Sequence, residues 1–188
     1  MNLAIGEEHI LLNDLIYPEG PRWHEGKFYL ADFYAREIVW SDLDGNRGRF
    51  LDVAGQPSGM GWLPDGRMLA VSMRDARVLV TDGYNTQLVA DIGAYSPCLN
   101  EMVVDSKGRA YVGGMMNVYG EQADLSAVRE AAGSNGPMEN IYLLDCSNGT
   151  SKVEVRIAAS DLNFPNGTVI SPDGQTLIVA ESMSQCLT

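Results

Sequence analysis

Residues 57–71 read Pro-Ser-Gly-Met-Gly-Trp-Leu-Pro-Asp-Gly-Arg-Met-Leu-Ala-Val. The tripeptide Pro57-Ser58-Gly59 opens the stretch, the turn Pro64-Asp65-Gly66 divides it, and a short apolar segment at 68–71 closes it. Asp-Gly supplies the positive φ angles that tight hairpins need. The pattern recurs along the chain. Pro18-Glu19-Gly20 and Pro165-Asn166-Gly167 repeat the tripeptide, and Leu99-Asn100-Glu101 fills the same slot less closely. A turn follows each copy, at Glu25-Gly26, Ser106-Lys107-Gly108 and Pro172-Asp173-Gly174. After each turn comes an apolar strand, at 28–31, 110–112 and 177–180, and three copies add a further strand at 38–40, 78–80 and 141–144. These segments are rich in β-branched and aromatic residues and too short for helices. Residues 152–157 alternate polar and apolar, as a half-exposed outer strand does.

The slot residues Glu19, Ser58, Asn100 and Asn166 lie 39, 42 and 66 residues apart. A period of about 40 residues with four strands per unit predicts an all-β chain of β-propeller blades. A leucine-rich repeat would show a leucine ladder, and an immunoglobulin-like sandwich would not repeat one turn at a fixed period. The longer third interval predicts an insertion, roughly 115–139, on the channel face. The expectation is one incomplete propeller domain over residues 1–188, with about three and a half blades, a fourth unit that stops after two strands, and an open edge available for self-association.

The 188 residues carry 13 basic and 25 acidic side chains, a net charge of −12. That balance argues against nucleic acid and against anionic membrane surfaces, since phosphate binding needs a basic footprint. No apolar run approaches the roughly 20 residues of a membrane span. The N-terminus lacks a basic region followed by a long apolar core, so no secretory signal is expected. The three cysteines, Cys98, Cys146 and Cys186, lack metal spacing and read as reduced thiols of a cytoplasmic protein.

Strand order places chemistry. Each first strand starts at one face of a blade, and the Asp-Gly turn lies at the other. Glu19, Ser58, Asn100 and Asn166 are therefore expected together on one face, near the propeller axis. A ring of carboxylate and amide oxygens suits a hard or borderline divalent cation, which polarises a carbonyl and acidifies bound water. The same residues also suit ordinary strand-initiating turns, and spacing alone leaves both readings open.

Several motifs carry a family resemblance. Pro18-Glu19-Gly20-Pro21 with Trp23, Phe164-Pro165-Asn166-Gly167, Ser171-Pro172-Asp173-Gly174 and Ala180-Glu181-Ser182 resemble the gluconolactonase/regucalcin (senescence marker protein) family. Residues 99–105 resemble its Asn-Asp-x-x-x-Asp segment, and Gly113-Gly114-Met115 its Gly-Thr-Met. The resemblance implies a six-bladed propeller with one divalent metal, calcium or zinc, in its channel, and hydrolysis of sugar lactones or related esters. It implies that Glu19 and Asn166 are metal ligands and that Asn100 lies beside the metal and touches substrate. It places the general-base Asp in a later blade, past residue 188, so the catalytic residue of this chain stays unassigned. The alternative is a non-catalytic metal-binding or interaction propeller fragment. Two departures stand out: Glu101 replaces the usual Asp, and Cys98 stands where some members place a substrate-binding Arg. The tail 183–188 reads as a replaced end that does not continue the blade.

Other candidates read as structure. Asp42-Leu43-Asp44-Gly45-Asn46 lacks the closing Glu of a calcium loop, with Val53 at that offset. Asn148-Gly149-Thr150 and Asn166-Gly167-Thr168 fit the glycosylation pattern but read as hairpin turns. His9 and His24 read as surface or packing residues. Residues 125–132 have helical composition and suit either a surface turn or a lid, and Met115, Met116 and Tyr119 suit either a pocket lining or gap filling.

Overall fold

The computed structural model describes residues 10–116 and 138–188. These residues form four small antiparallel sheets in chain order. The first contains β1 (Pro18–His24), β2 (Lys27–Asp32), β3 (Glu37–Asp42) and β4 (Arg47–Asp52). The second contains β5 (Pro57–Trp62), β6 (Met68–Ser72), β7 (Arg77–Thr81) and β8 (Thr86–Asp91). The third contains β9 (Cys98–Val104), β10 (Arg109–Met115), β11 (Glu139–Asp145) and β12 (Val155–Leu162). The fourth contains β13 (Pro165–Ile170), β14 (Leu177–Glu181) and β15 (Cys186–Leu187). Each sheet is a meander whose neighbours in sequence are neighbours in space. The first strands β1, β5, β9 and β13 pack against one another in succession, which is the inner wall of a β-propeller.

The turns have local causes. At the β1–β2 hairpin Glu25 and Gly26 both take positive φ, 46° and 78°, as a two-residue type I′ turn requires. The corresponding turns of the other three sheets use a single left-handed glycine. The N–H of Gly66, Gly108 and Gly174 donates to the carbonyl of Leu63, Asp105 and Ser171, respectively.

The fourth sheet corrects the reading of the tail. Residues 186–187 pair with β14, Ala180 opposite Leu187 and Glu181 opposite Cys186, so a third strand does begin there. The reason is a backbone state that residue identity conceals. Gln185 takes φ 55°, as Arg36 (63°) and Ala76 (50°) do just before β3 and β7. The outer strand β12 also differs from expectation, starting at Val155 and extending to Leu162.

The core lies between sheets. Tyr29, Ala31, Ile38, Met60 and Ala70 join the first sheet to the second. Leu69, Val71, Val78, Leu99, Met102, Ala110 and Val112 join the second to the third. Ile141, Leu162 and Val179 join the third to the fourth. The tripeptide glycine is needed for this packing. A Cβ on Gly59 would stand 2.1 Å from the Met102 nitrogen and one on Gly61 2.6 Å from Val104 Cγ2, so only glycine lets β5 and β9 meet.

Candidate functional site

The slot tripeptides are not turns. All four lie within inner strands, and each coincides with a break in register. The shifts fall between Glu19 and Arg22 in β1, Pro57 and Met60 in β5, and Pro165 and Thr168 in β13. In the third sheet, pairing with β10 skips from Leu99 to Met102, across Asn100 and Glu101. A bulge adds an unpaired residue and re-aims its side chain. Asn166-Gly167 is accordingly strand rather than the hairpin turn its sequence suggests.

Side-chain contacts join three of the four slot residues. Ser58 Oγ donates to Asn100 Oδ1 at 3.3 Å. Asn100 Nδ2 donates to the Pro165 carbonyl at 3.4 Å and to Asn166 Oδ1 at 3.5 Å. Asn166 Nδ2 in turn donates to Ser182 Oγ at 3.0 Å. The Ser182 contact uses the amino half of Asn166 and leaves its Oδ1 facing Asn100. Asn100 is itself buried, and it turns an N–H toward Asn166. The contacts within the cluster are long for hydrogen bonds, whereas the Ser182 contact is of ordinary length.

Glu19 holds the same slot in β1. It is half-buried and accepts no hydrogen bond among the described residues. Burial raises its carboxyl above the usual carboxylate range, and the negative charge of Glu101, the neighbour of Asn100, raises it further. Glu101 Oε2 accepts from Arg22 Nη2 at 2.9 Å, and the same guanidinium nitrogen donates to the Met102 carbonyl at 2.9 Å.

Two carboxylates anchor the segments that lead into the slot strands. Asp32 accepts the backbone N–H of Ile16 and of Tyr17, at 2.8 and 2.9 Å, just before Glu19. Glu181 accepts the N–H of Asn163 at 2.7 Å, and the Ser182 N–H donates to the Phe164 carbonyl at 3.1 Å. The Ala180-Glu181-Ser182 motif therefore has a physical role: it orients the strand and the amide of Asn166.

The slot side chains offer carboxylate and amide oxygens, a donor set that fits a hard divalent cation. Among the described residues no three His, Cys, Asp or Glu side chains gather as an alternative metal cluster. Two clefts, of about 710 and 500 Å³, open at the opposite, hairpin-turn end. Both include Arg22, Val103 and Asp105, and neither includes a slot residue.

Other sequence candidates resolve as structure. Cys98 and Met115 are buried in the core, so neither lines an open pocket. His24 stacks on Trp62, with ring centroids 4.0 Å apart. Asp42 accepts the N–H groups of Asp44 and Asn46, closing a turn rather than a calcium loop. His9, Tyr119 and the segment 125–132, with most of the expected insertion, lie outside the described residues. Sequence reasoning missed the Arg22–Glu101 contact, which joins residues 79 positions apart, and the buried Glu139. Ser96 Oγ donates to Glu139 Oε2 at 3.4 Å, and burial raises the Glu139 carboxyl despite that bond. Among the described residues no helix is long and apolar enough to cross a membrane.

Bulged inner strands that bring polar side chains together at one end of a blade array define a β-propeller with an axial polar site. The chain belongs to the SMP-30/Gluconolactonase/LRE-like region family, whose model matches residues 17–188. Solved structures agree on the fold. A gluconolactonase from Xanthomonas campestris superposes with a TM-score of 0.72 at 20% identity, over 92% of this chain and 56% of that one. The calcium-binding protein regucalcin from Agrobacterium tumefaciens gives 0.69 at 18%, over 95% and 55%. A chain of a nidogen/laminin complex gives 0.66 at 17%, over 88% and 57%. The chain thus spans a little over half the length of these structures. No curated protein matches it.

Proposed function

We propose that these residues form the cation- and substrate-binding part of a metal-dependent hydrolase acting on sugar lactones or related esters. Glu19 supplies the carboxylate and Asn166 the amide oxygen for one divalent cation. Asn100 lies beside the cation, where it touches substrate. The observation that carries this reading is the orientation of Asn166, whose amino group is taken by Ser182 and whose oxygen is left toward Asn100, with a half-buried Glu19 carboxylate in the same slot of the first sheet that has no donor among the described residues.

A divalent cation at such a site polarises a carbonyl oxygen and lowers the pKa of bound water. The oxygen-only donor set favours calcium over zinc, which draws on nitrogen and sulfur ligands. The buried Ser58–Asn100 contact fixes the amide plane of Asn100 beside Asn166. Cation binding is the property proposed for these residues.

Calorimetric titration of the chelator-treated protein with calcium tests the reading. The expected result is a single binding event that Glu19→Gln and Asn166→Ala each abolish, with zinc binding more weakly. Calcium binding unchanged in Glu19→Gln would reject the ligand assignment.

A further inference from the structure

The slot tripeptide ends in glycine in three repeats, Gly20, Gly59 and Gly167, and in Glu101 in the third. Glu101 sits inside the β9 bulge, and its side chain is 12% exposed. It reaches across β5 to the first sheet, where Oε2 accepts from Arg22 at 2.9 Å. Its other oxygen, Oε1, lies 3.3 Å from the position a Cβ on Gly20 would take, beside Glu19. Arg22 is held in turn by the carbonyls of Met102 and Pro21, each at 2.9 Å. The guanidinium thus occupies Oε2 and leaves Oε1 without a donor among the described residues. Two carboxylates and one guanidinium leave this group one positive charge short.

We propose that Glu101 is a second carboxylate of the cation site, facing the cation through Oε1, and that Arg22 is the residue that positions it. This inference rests on the reading of Glu19 and Asn166 as cation ligands. The second carboxylate strengthens the preference for a hard cation of high coordination number, because calcium takes six to eight oxygens. Arg22 offsets one of the two negative charges.

Calcium titrations followed by calorimetry and by thermal melting separate the possibilities. Glu101→Gln keeps an acceptor for Arg22 and removes the charge. Even with the full screening of bulk water, one unit charge about 4 Å from a divalent ion predicts calcium binding at least about thirtyfold weaker. Arg22→Gln removes the group that positions Glu101, so calcium affinity falls toward that of Glu101→Gln. Glu101→Asp, which keeps the charge and loses reach, falls between Glu101→Gln and the wild type. Unchanged calcium affinity in Glu101→Gln, with binding abolished in Glu19→Gln, overturns this inference and leaves the site standing. Unchanged affinity in both variants, or no calcium binding by the wild type, overturns the site and the inference together. If Arg22→Gln does not fold, Arg22→Lys provides the same reading: it restores wild-type calcium affinity if Arg22 acts by charge and position, and a loss of binding equal to that of Glu19→Gln contradicts the positioning role.

Discussion

Replacing Gly59 by alanine puts a methyl carbon 2.1 Å from the Met102 backbone nitrogen and 2.6 Å from the Glu101 carbonyl carbon. Neither atom belongs to a side chain that is able to swing away, so β5 and β9 must separate by about 1 Å or more, prying open the core between Leu69, Leu99 and Met102. Overpacking of this kind costs about 3 kcal/mol, the upper end of the usual range. In a chain of this size that lowers the melting temperature by about 6–12 °C. The equivalent glycine of the fourth repeat, Gly167, has no atom within 4 Å of its Cβ position among the described residues, and its φ is not left-handed. Alanine there restricts the unfolded chain and stabilises by about 0.4–1 kcal/mol. Urea denaturation of the two variants is the assay. Opposite signs are expected for one substitution at one repeat position. Equal effects, or a Gly59→Ala loss below about 1 kcal/mol, would refute the packing account of the tripeptide.

Three further predictions concern thiols, acid and the Asn166 amide. Cys186 is exposed whereas Cys98 and Cys146 are buried, and burial pushes the Cys146 thiol up to about 11. A thiol reagent at pH 8 should therefore label one cysteine in the native protein and the other two only on unfolding. The Glu181 carboxyl is held below its usual range, first by the Asn163 N–H and then by the Thr188 hydroxyl. Its contribution is present above the unfolded-state pKa and is lost as pH falls through the folded value, so melting temperature should fall on acidification, and less steeply in Glu181→Gln. Ser182→Ala removes the acceptor that orients Asn166, at a cost of about 0.5–1.5 kcal/mol in stability. Calcium affinity should fall severalfold in a calorimetric titration of that variant, and an unchanged affinity would show that Ser182 does not set the amide.

The architecture was legible because three of the four blades announce themselves twice, by Pro-x-Gly at the inner strand and by a glycine turn after it, and the third by its glycine turn. The grouping of Ser58, Asn100 and Asn166 was legible for the same reason, since strand order alone puts them at one end. What the sequence concealed is of three physical kinds. Backbone states carried by ordinary residues, such as the left-handed Gln185, hid the third strand of the fourth sheet. Register shifts hid that the tripeptides are bulged strands rather than turns, because a bulge is a property of two paired strands. Contacts between distant residues, Arg22 with Glu101 above all, have no local signature. Turn chemistry was one of two readings the sequence left open for the Pro-x-Gly tripeptides, and at Gly59 the glycine instead lets backbone meet side chain and backbone across sheets.

The central claim is that Glu19 and Asn166 hold a divalent cation, and paired thermal melts of chelator-treated wild type and Glu19→Gln test it most directly. A ligand specific for the folded state adds about 2.7 kcal/mol at a hundredfold excess over Kd. The account predicts that calcium raises the melting temperature of the wild type and leaves Glu19→Gln unmoved. A wild type indifferent to calcium, or an equal rise in both proteins, would contradict it.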